Sequence, residues 1–139
     1  MYHAIVKRVA AANFGRVNDH DYAAILSTCA PTIEHRFGGR HALGGSRRGH
    51  DALARWFDRL GRLMPTLRLT VEDTWVTGWP HHTTVVIRWT ATATLPDGTA
   101  YANHGVHVIT MRWGKAIAID ANEDSQAVAE ALVVVAACG

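Results

Sequence analysis

His35 stands between Ile33 and Phe37 in an alternating stretch, Thr32 to Phe37, so its imidazole falls on the apolar side of a short strand. A polar ring on such a face must find a partner or a cavity. Its ordinary pKa, about 6.5, suits proton transfer at neutral pH. His107 and Asp120 form a second pair. If Trp113-Gly114 makes a two-residue turn, Arg112 opposes Lys115, and counting back sets His107 opposite Asp120. Directly opposed residues hold their Cβ atoms ~5 Å apart, and an aspartate there orients an imidazole and raises its pKa. A three-residue turn would instead pair Val108 with Asp120 and remove the dyad. The chemistry implied is proton removal from a carbon beside a carbonyl. Neutral His35 would take the proton, and charged His107 would donate to the developing oxyanion with help from Asn103.

Tyr101 and Asn103 share the parity of His107 along one strand, so all are candidates for a cavity wall. Among the five tryptophans, Trp56 and Trp89 fall on core-facing positions and could wall a flat apolar ligand; plain core filling is the competing reading. Asp73 shares the parity of Val71 and Trp75, as a cavity acid or the mark of a bulge. Arg36, Arg40, Arg47 and Arg48 would ring a glycine-rich loop over 38–49. That loop lacks the Gly-Lys-Ser/Thr ending of a phosphate-binding loop. The nine histidines and two cysteines match no metal-ligand spacing, so no metal and no cofactor is expected.

The elements that must position these groups follow from periodicity. A helix is predicted over 3–17, with Ile5, Val6, Val9, Ala12 and Val17 near one face, and Asn18 or Asp19 capping a second through Cys29. Pro31 ends that helix. After the strand and the glycine loop, 50–64 is the strongest helix, with Leu53, Trp56, Phe57, Leu60, Leu63 and Met64 in one stripe. Strands are predicted at 67–77, 83–95, 101–112 and 115–123, then a helix over 125–137. The order ααβαββββα implies an α+β domain in which a curved antiparallel sheet is covered by helices.

Three stretches resemble a known superfamily: Asn-Asp-His-Asp-Tyr-Ala-Ala-Ile-Leu at 18–26 followed by Ile33-Glu34-His35; Gly49 leading to Leu53 and Trp56-Phe57 before Pro65; and Gly105-Val106-His107-Val108, Gly114-Lys115 and Glu123-Asp124-Ser125. Their order and spacing are similar to those of nuclear transport factor 2-like proteins, within them the SnoaL-like proteins and ketosteroid isomerases. The resemblance implies a cone-shaped fold around one central pocket, usually in a homodimer, and it places His35 where the isomerases carry their proton-moving carboxylate. The isomerases' tyrosine would fall at Asn13 or Phe14, and the late aspartate of the related epoxide hydrolases at Ala121, so neither of those sites is complete. Fold alone does not fix function in this group.

The whole chain of 139 residues reads as a single domain. With 48% hydrophobic and 19% charged residues it is globular, and a net charge of +2 argues against a nucleic-acid partner. Its longest apolar run, 131–137, falls far short of the roughly 20 residues that span a bilayer, so no membrane partner and a cytoplasmic location are expected. Two functions remain open. One is a cofactor-free acid–base enzyme of the isomerase, cyclase or hydrolase type acting on a small apolar, cyclic or polyketide-like molecule. The other is a non-catalytic binding or assembly module.

Overall fold

Residues 1–138 are described by the computed structural model. The chain runs α1 (Tyr2–Asn18), α2 (Tyr22–Ser27), β1 (Cys29–Phe37), β2 (Gly45–Arg48), α3 (His50–Leu63), β3 (Arg68–Trp79), β4 (His82–Thr94), β5 (Ala100–Arg112), β6 (Lys115–Glu123) and α4 (Ser125–Cys138). The strands form one curved, unclosed sheet in the order β2-β1-β6-β5-β4-β3. It is the α+β cone expected, with two differences. The sheet is mixed, because β1 lies parallel to β6. The glycine-rich stretch also holds a strand, β2, paired antiparallel to β1. Gly-Ser-Arg-Arg carries no strand signal of its own. Gly45 and Gly49, both at positive φ, bend the chain at each end, and pairing to β1 supplies the extended conformation.

α3 buries Leu53, Trp56, Phe57 and Leu60, the i, i+3, i+4, i+7 stripe read from sequence. α1 differs from its prediction. Its buried stripe is Val6, Ala10 and Phe14, while Ile5 and Val9 are exposed. Asp21, not Asn18 or Asp19, caps α2, accepting from the Ala24 N–H. Asn18 instead clamps β3: its side chain accepts from Leu69 N at 2.6 Å and donates to Leu69 O at 3.0 Å. The core divides into two clusters. One joins α2, α3 and α4 to β1 through Ile33, Leu53, Trp56 and Val128; the other joins α1 to β4 through Val6, Phe14, Ile87 and Trp89.

Register decides what faces inward. Trp113 and Gly114 do make the two-residue turn, both at positive φ, and Arg112 pairs with Lys115. The ladder then slips: Met111 pairs with Ala116 but Thr110 with Ala118, so Ile117 is the extra residue of a bulge. Beyond it Val108 opposes Asp120 and His107 opposes Ala121. The predicted His107–Asp120 opposition is therefore not formed, because one inserted residue moves every later β6 side chain to the other face. A second bulge lies between Val71 and Asp73, and Asp73 pairs with Arg88. No helix among the described residues is long and apolar enough to cross a membrane.

Candidate functional site

A cavity of about 180 Å³ lies at the seam of the two core clusters. Phe14, Trp56, Trp89, Ile109 and Ile119 supply much of its apolar wall, and Leu43 closes one side. The lining includes the exposed residues Val9 of α1 and Gly114 of the β5–β6 turn. Among the described residues no Asp, Glu, Lys or Arg lines it. The polar groups that do include His35, His107, Tyr101 and Asn103.

His35 is 3% exposed. Trp56 packs on it with ring centroids 4.4 Å apart. Directly across the β1–β2 pair stands Arg47, whose Nη1 lies 2.5 Å from His35 Nδ1. A guanidinium only donates, so Nδ1 must be the bare, accepting nitrogen. The neutral ring then carries its hydrogen on Nε2. His35 lines the cavity, and its Nε2–H has no acceptor among the described residues. That Nε2 is not among the polar atoms sealed away from any space. Burial first, then the charge of Arg47, then His107, push the imidazole down to about 3, so it is neutral at physiological pH.

His107 is held in the same way from the other side. Trp89 Nε1 donates to its Nδ1 at 2.7 Å, and the Phe14 ring packs edge-on with centroids 5.1 Å apart. Indole N–H is a donor only, so here too Nδ1 is the acceptor and Nε2 carries the hydrogen. His107 is half-buried and is among the residues that line the cavity. Burial pushes it down to about 4, against the upward pull of Asp120. Gly105 makes this contact possible. It sits opposite Trp89, and a Cβ there would come within 2.5 Å of the indole.

Asn103 is buried and fully occupied. Its Nδ2 donates to Tyr101 Oη at 2.8 Å and to Asp124 O at 3.1 Å, while its Oδ1 accepts from His104 N at 2.7 Å and Asp124 N at 3.1 Å. It ties β5 to the start of α4 and leaves no group for a ligand. Its effect on the site passes through Tyr101. Because Tyr101 Oη accepts from Asn103, its own hydrogen is free to point elsewhere. Burial, with Glu123 and Asp124 nearby, raises Tyr101 above its usual value and keeps it a phenol.

The fold thus gathers His35, His107, Trp56, Trp89, Tyr101 and Asn103 around one cavity and leaves Asp120 outside it. Asp120 lies on the outer face, its side chain 48% exposed, paired with Arg36 at 2.5 Å. Arg48 likewise pairs with Glu34. Sequence reasoning missed the role of Arg47, which it placed on a basic rim. The signal lay in the β1–β2 register, invisible until β2 is recognised as a strand. Phe14, a wall residue, falls outside the predicted α1 stripe, which lies one step out of phase with the buried one. Among the described residues no three His, Cys, Asp or Glu side chains converge as metal ligands.

The SnoaL-like domain family matches residues 10–119. No curated protein matches the chain. Among solved structures, TerC, co-crystallised with polyporic acid, is 25% identical with a TM-score of 0.76, over 92% of this chain and 97% of that one. A nuclear transport factor 2-like protein from Burkholderia thailandensis is 24% identical with a TM-score of 0.71, covering 90% and 95%. A putative polyketide cyclase from Xanthomonas campestris is 19% identical with a TM-score of 0.64, covering 89% and 93%. The last two show likeness of fold alone. With the family match spanning most of the chain and the cone built around a cavity of small-molecule size, this protein belongs to the SnoaL-like domain family and has the nuclear transport factor 2-like fold.

Proposed function

We propose that this protein binds a small, largely apolar ring compound bearing a carbonyl or hydroxyl oxygen, and that His35, His107 and Tyr101 donate hydrogen bonds to that oxygen. The observation that carries this reading is the locking of both imidazoles at Nδ1, by Arg47 and by Trp89, which leaves each Nε2–H as a donor. The size supports it: a dry cavity of ~150 Å³ takes one benzene ring. TerC, co-crystallised with polyporic acid, supports an organic ligand for this chain.

The finer reading is a cofactor-free acid-type reaction, in which donors in a water-poor site polarise a carbonyl for isomerisation or ring closure. The imidazoles serve this as electrophiles. Neither serves as the base that the sequence suggested for His35, since proton uptake at Nδ1 would break the bond to Arg47. The absence of a carboxylate from the described lining favours the second reading, a binding module without catalysis. Benzaldehyde separates them from a featureless core. Bound benzaldehyde should show its carbonyl stretch at lower frequency than in hexane, and His35→Phe or His107→Phe should reverse part of that shift. A hexane-like stretch, or no binding, would remove the proposal.

A homodimer through the outer sheet face belongs to the same reading. Trp75, Val86 and Val108 are paired in a row across β3, β4 and β5, and the row ends at the Asp120–Arg36 ion pair. Trp75 is 52% exposed there, an apolar surface suited to a second copy of the chain.

A further inference from the structure

We infer that the cavity takes its ligand as an oxyanion: a small, weakly acidic phenol or enol that gives up its O–H proton on binding, with Arg47 as the residue that sets this selectivity. The inference rests on the reading that the cavity binds an oxygen-bearing ring, and adds which protonation state is bound and why.

Three side-chain acceptors around the cavity are fully used: both imidazole Nδ1 atoms and Asn103 Oδ1. Nδ1 of His35 takes Arg47, and Nδ1 of His107 takes Trp89. Asn103 Oδ1 accepts two backbone N–H groups. Asn13 Oδ1 accepts from Arg16, and Thr28 Oγ1 from Asn13. A neutral hydroxyl beside His35 and His107 finds donors for its oxygen but no acceptor for its hydrogen on either imidazole, since both Nδ1 atoms are taken. Losing its hydrogen removes that mismatch, and an oxyanion accepts from several donors at once.

The full charge behind His35 has the right sign. Arg47 sits one hydrogen bond behind His35. Its Nη2 is anchored on Gly44 O at 3.0 Å, and its guanidinium lies 5.5 Å from the Trp56 ring centroid. An Arg⁺→His→oxygen chain polarises the imidazole, so its Nε2–H donates more strongly to an anion than an isolated neutral ring would. Arg59 adds positive charge near Arg47. The opposing charges are Asp120, paired with Arg36 and acting on His107, and Glu123 and Asp124, whose influence falls on Tyr101 and keeps it a donor. The step balances simply. The ligand's O–H bond breaks and its proton leaves to solvent, because neither Nδ1 can take it without losing its donor.

4-Nitrophenol tests this, since its phenolate absorbs in the visible range and its phenol does not. Bound to the protein, it should ionise at a pH about one unit or more below the free probe, a tenfold or greater selectivity for the anion. Its methyl ether, 4-nitroanisole, has nearly the same shape and no proton to lose. Arg47→Gln should cut the ratio of phenolate to ether affinity about tenfold, and Arg47→Lys, which keeps the charge, should retain most of it. A bound phenol that titrates at or above the free value, or a ratio indifferent to Arg47→Gln, overturns the inference while leaving the binding proposal standing. If neither probe binds, the binding proposal fails and takes this inference with it.

Discussion

Arg47 and His35 are direct partners across the β1–β2 ladder, and the guanidinium donates to the imidazole Nδ1. That pairing leaves the neutral imidazole with its hydrogen on Nε2. Burial of His35 and His107, with the Arg47 charge second for His35, costs the protein tolerance to acid. His35 and His107 are pushed down to about 3 and about 4, so the folded chain does not take up protons that the unfolded chain binds at its ordinary pKa of about 6.5. Their contribution is fully present above that value and is lost as the pH falls toward the folded values. By pH 5 the expected loss is up to about 2 kcal/mol for each ring. His41, also lowered by burial, adds to the slope. Urea midpoints between pH 7 and 5 should fall accordingly, and His35→Gln or His107→Gln should flatten the curve. A flat wild-type profile would contradict the burial of these rings.

Nitrogen-15 spectra of the two imidazoles report the tautomers directly. Both should be Nε2–H and stay neutral from pH 8 to about 5. An Nδ1–H form of His35, or titration of either ring near 6.5, would show that the Arg47 or Trp89 bond does not persist in solution.

Gly105 is required by close approach. A methyl group there would meet Trp89 at 2.5 Å and Asn122 O at 2.4 Å, the latter a backbone atom with little room to yield. Gly105→Ala should destabilise the fold by roughly 1–3 kcal/mol. It should also push the indole off His107 and shift the His107 Nδ1 signal while His35 stays unmoved. A variant with wild-type stability and an unchanged His107 spectrum would show that the sheet absorbs the methyl group elsewhere.

Trp56 links α3 to the site. Its ring is buried against His35, and its indole N–H donates to Leu43 O at 2.8 Å. Trp56→Ala should cost about 3–5 kcal/mol, and Trp56→Phe, which keeps the ring packing but leaves Leu43 O without its donor, about 1–3 kcal/mol. A melting temperature within a degree or two of wild type for the alanine variant would place Trp56 outside the core.

The outer row Trp75, Val86 and Val108 should hold two copies together at micromolar concentration in sedimentation. Val108→Glu, set between Val86 and Asp120, should release monomers that keep the cavity and its titration behaviour. A wild-type monomer at that concentration would dismiss the interface.

Much of the architecture is written locally. The α3 stripe, the four long strands and the turn at Gly114 follow from side-chain period and from a glycine that accepts positive φ, because burial of one face is demanded wherever that face is apolar. The same parity put His35, Trp89, Tyr101, Asn103 and His107 on inward positions. What parity cannot supply is registry between segments distant in sequence. Counting back from the turn gave His107–Asp120, and the bulge at Ile117 gave Val108–Asp120 instead, since one unpaired residue inverts every face beyond it. β2 has no strand propensity and exists because β1 offers its edge. Only that pairing sets Arg47 against His35. The sequence alone therefore determined which groups reach the cavity; whether they accept or donate protons there was decided by partners that only the assembled sheet brings alongside.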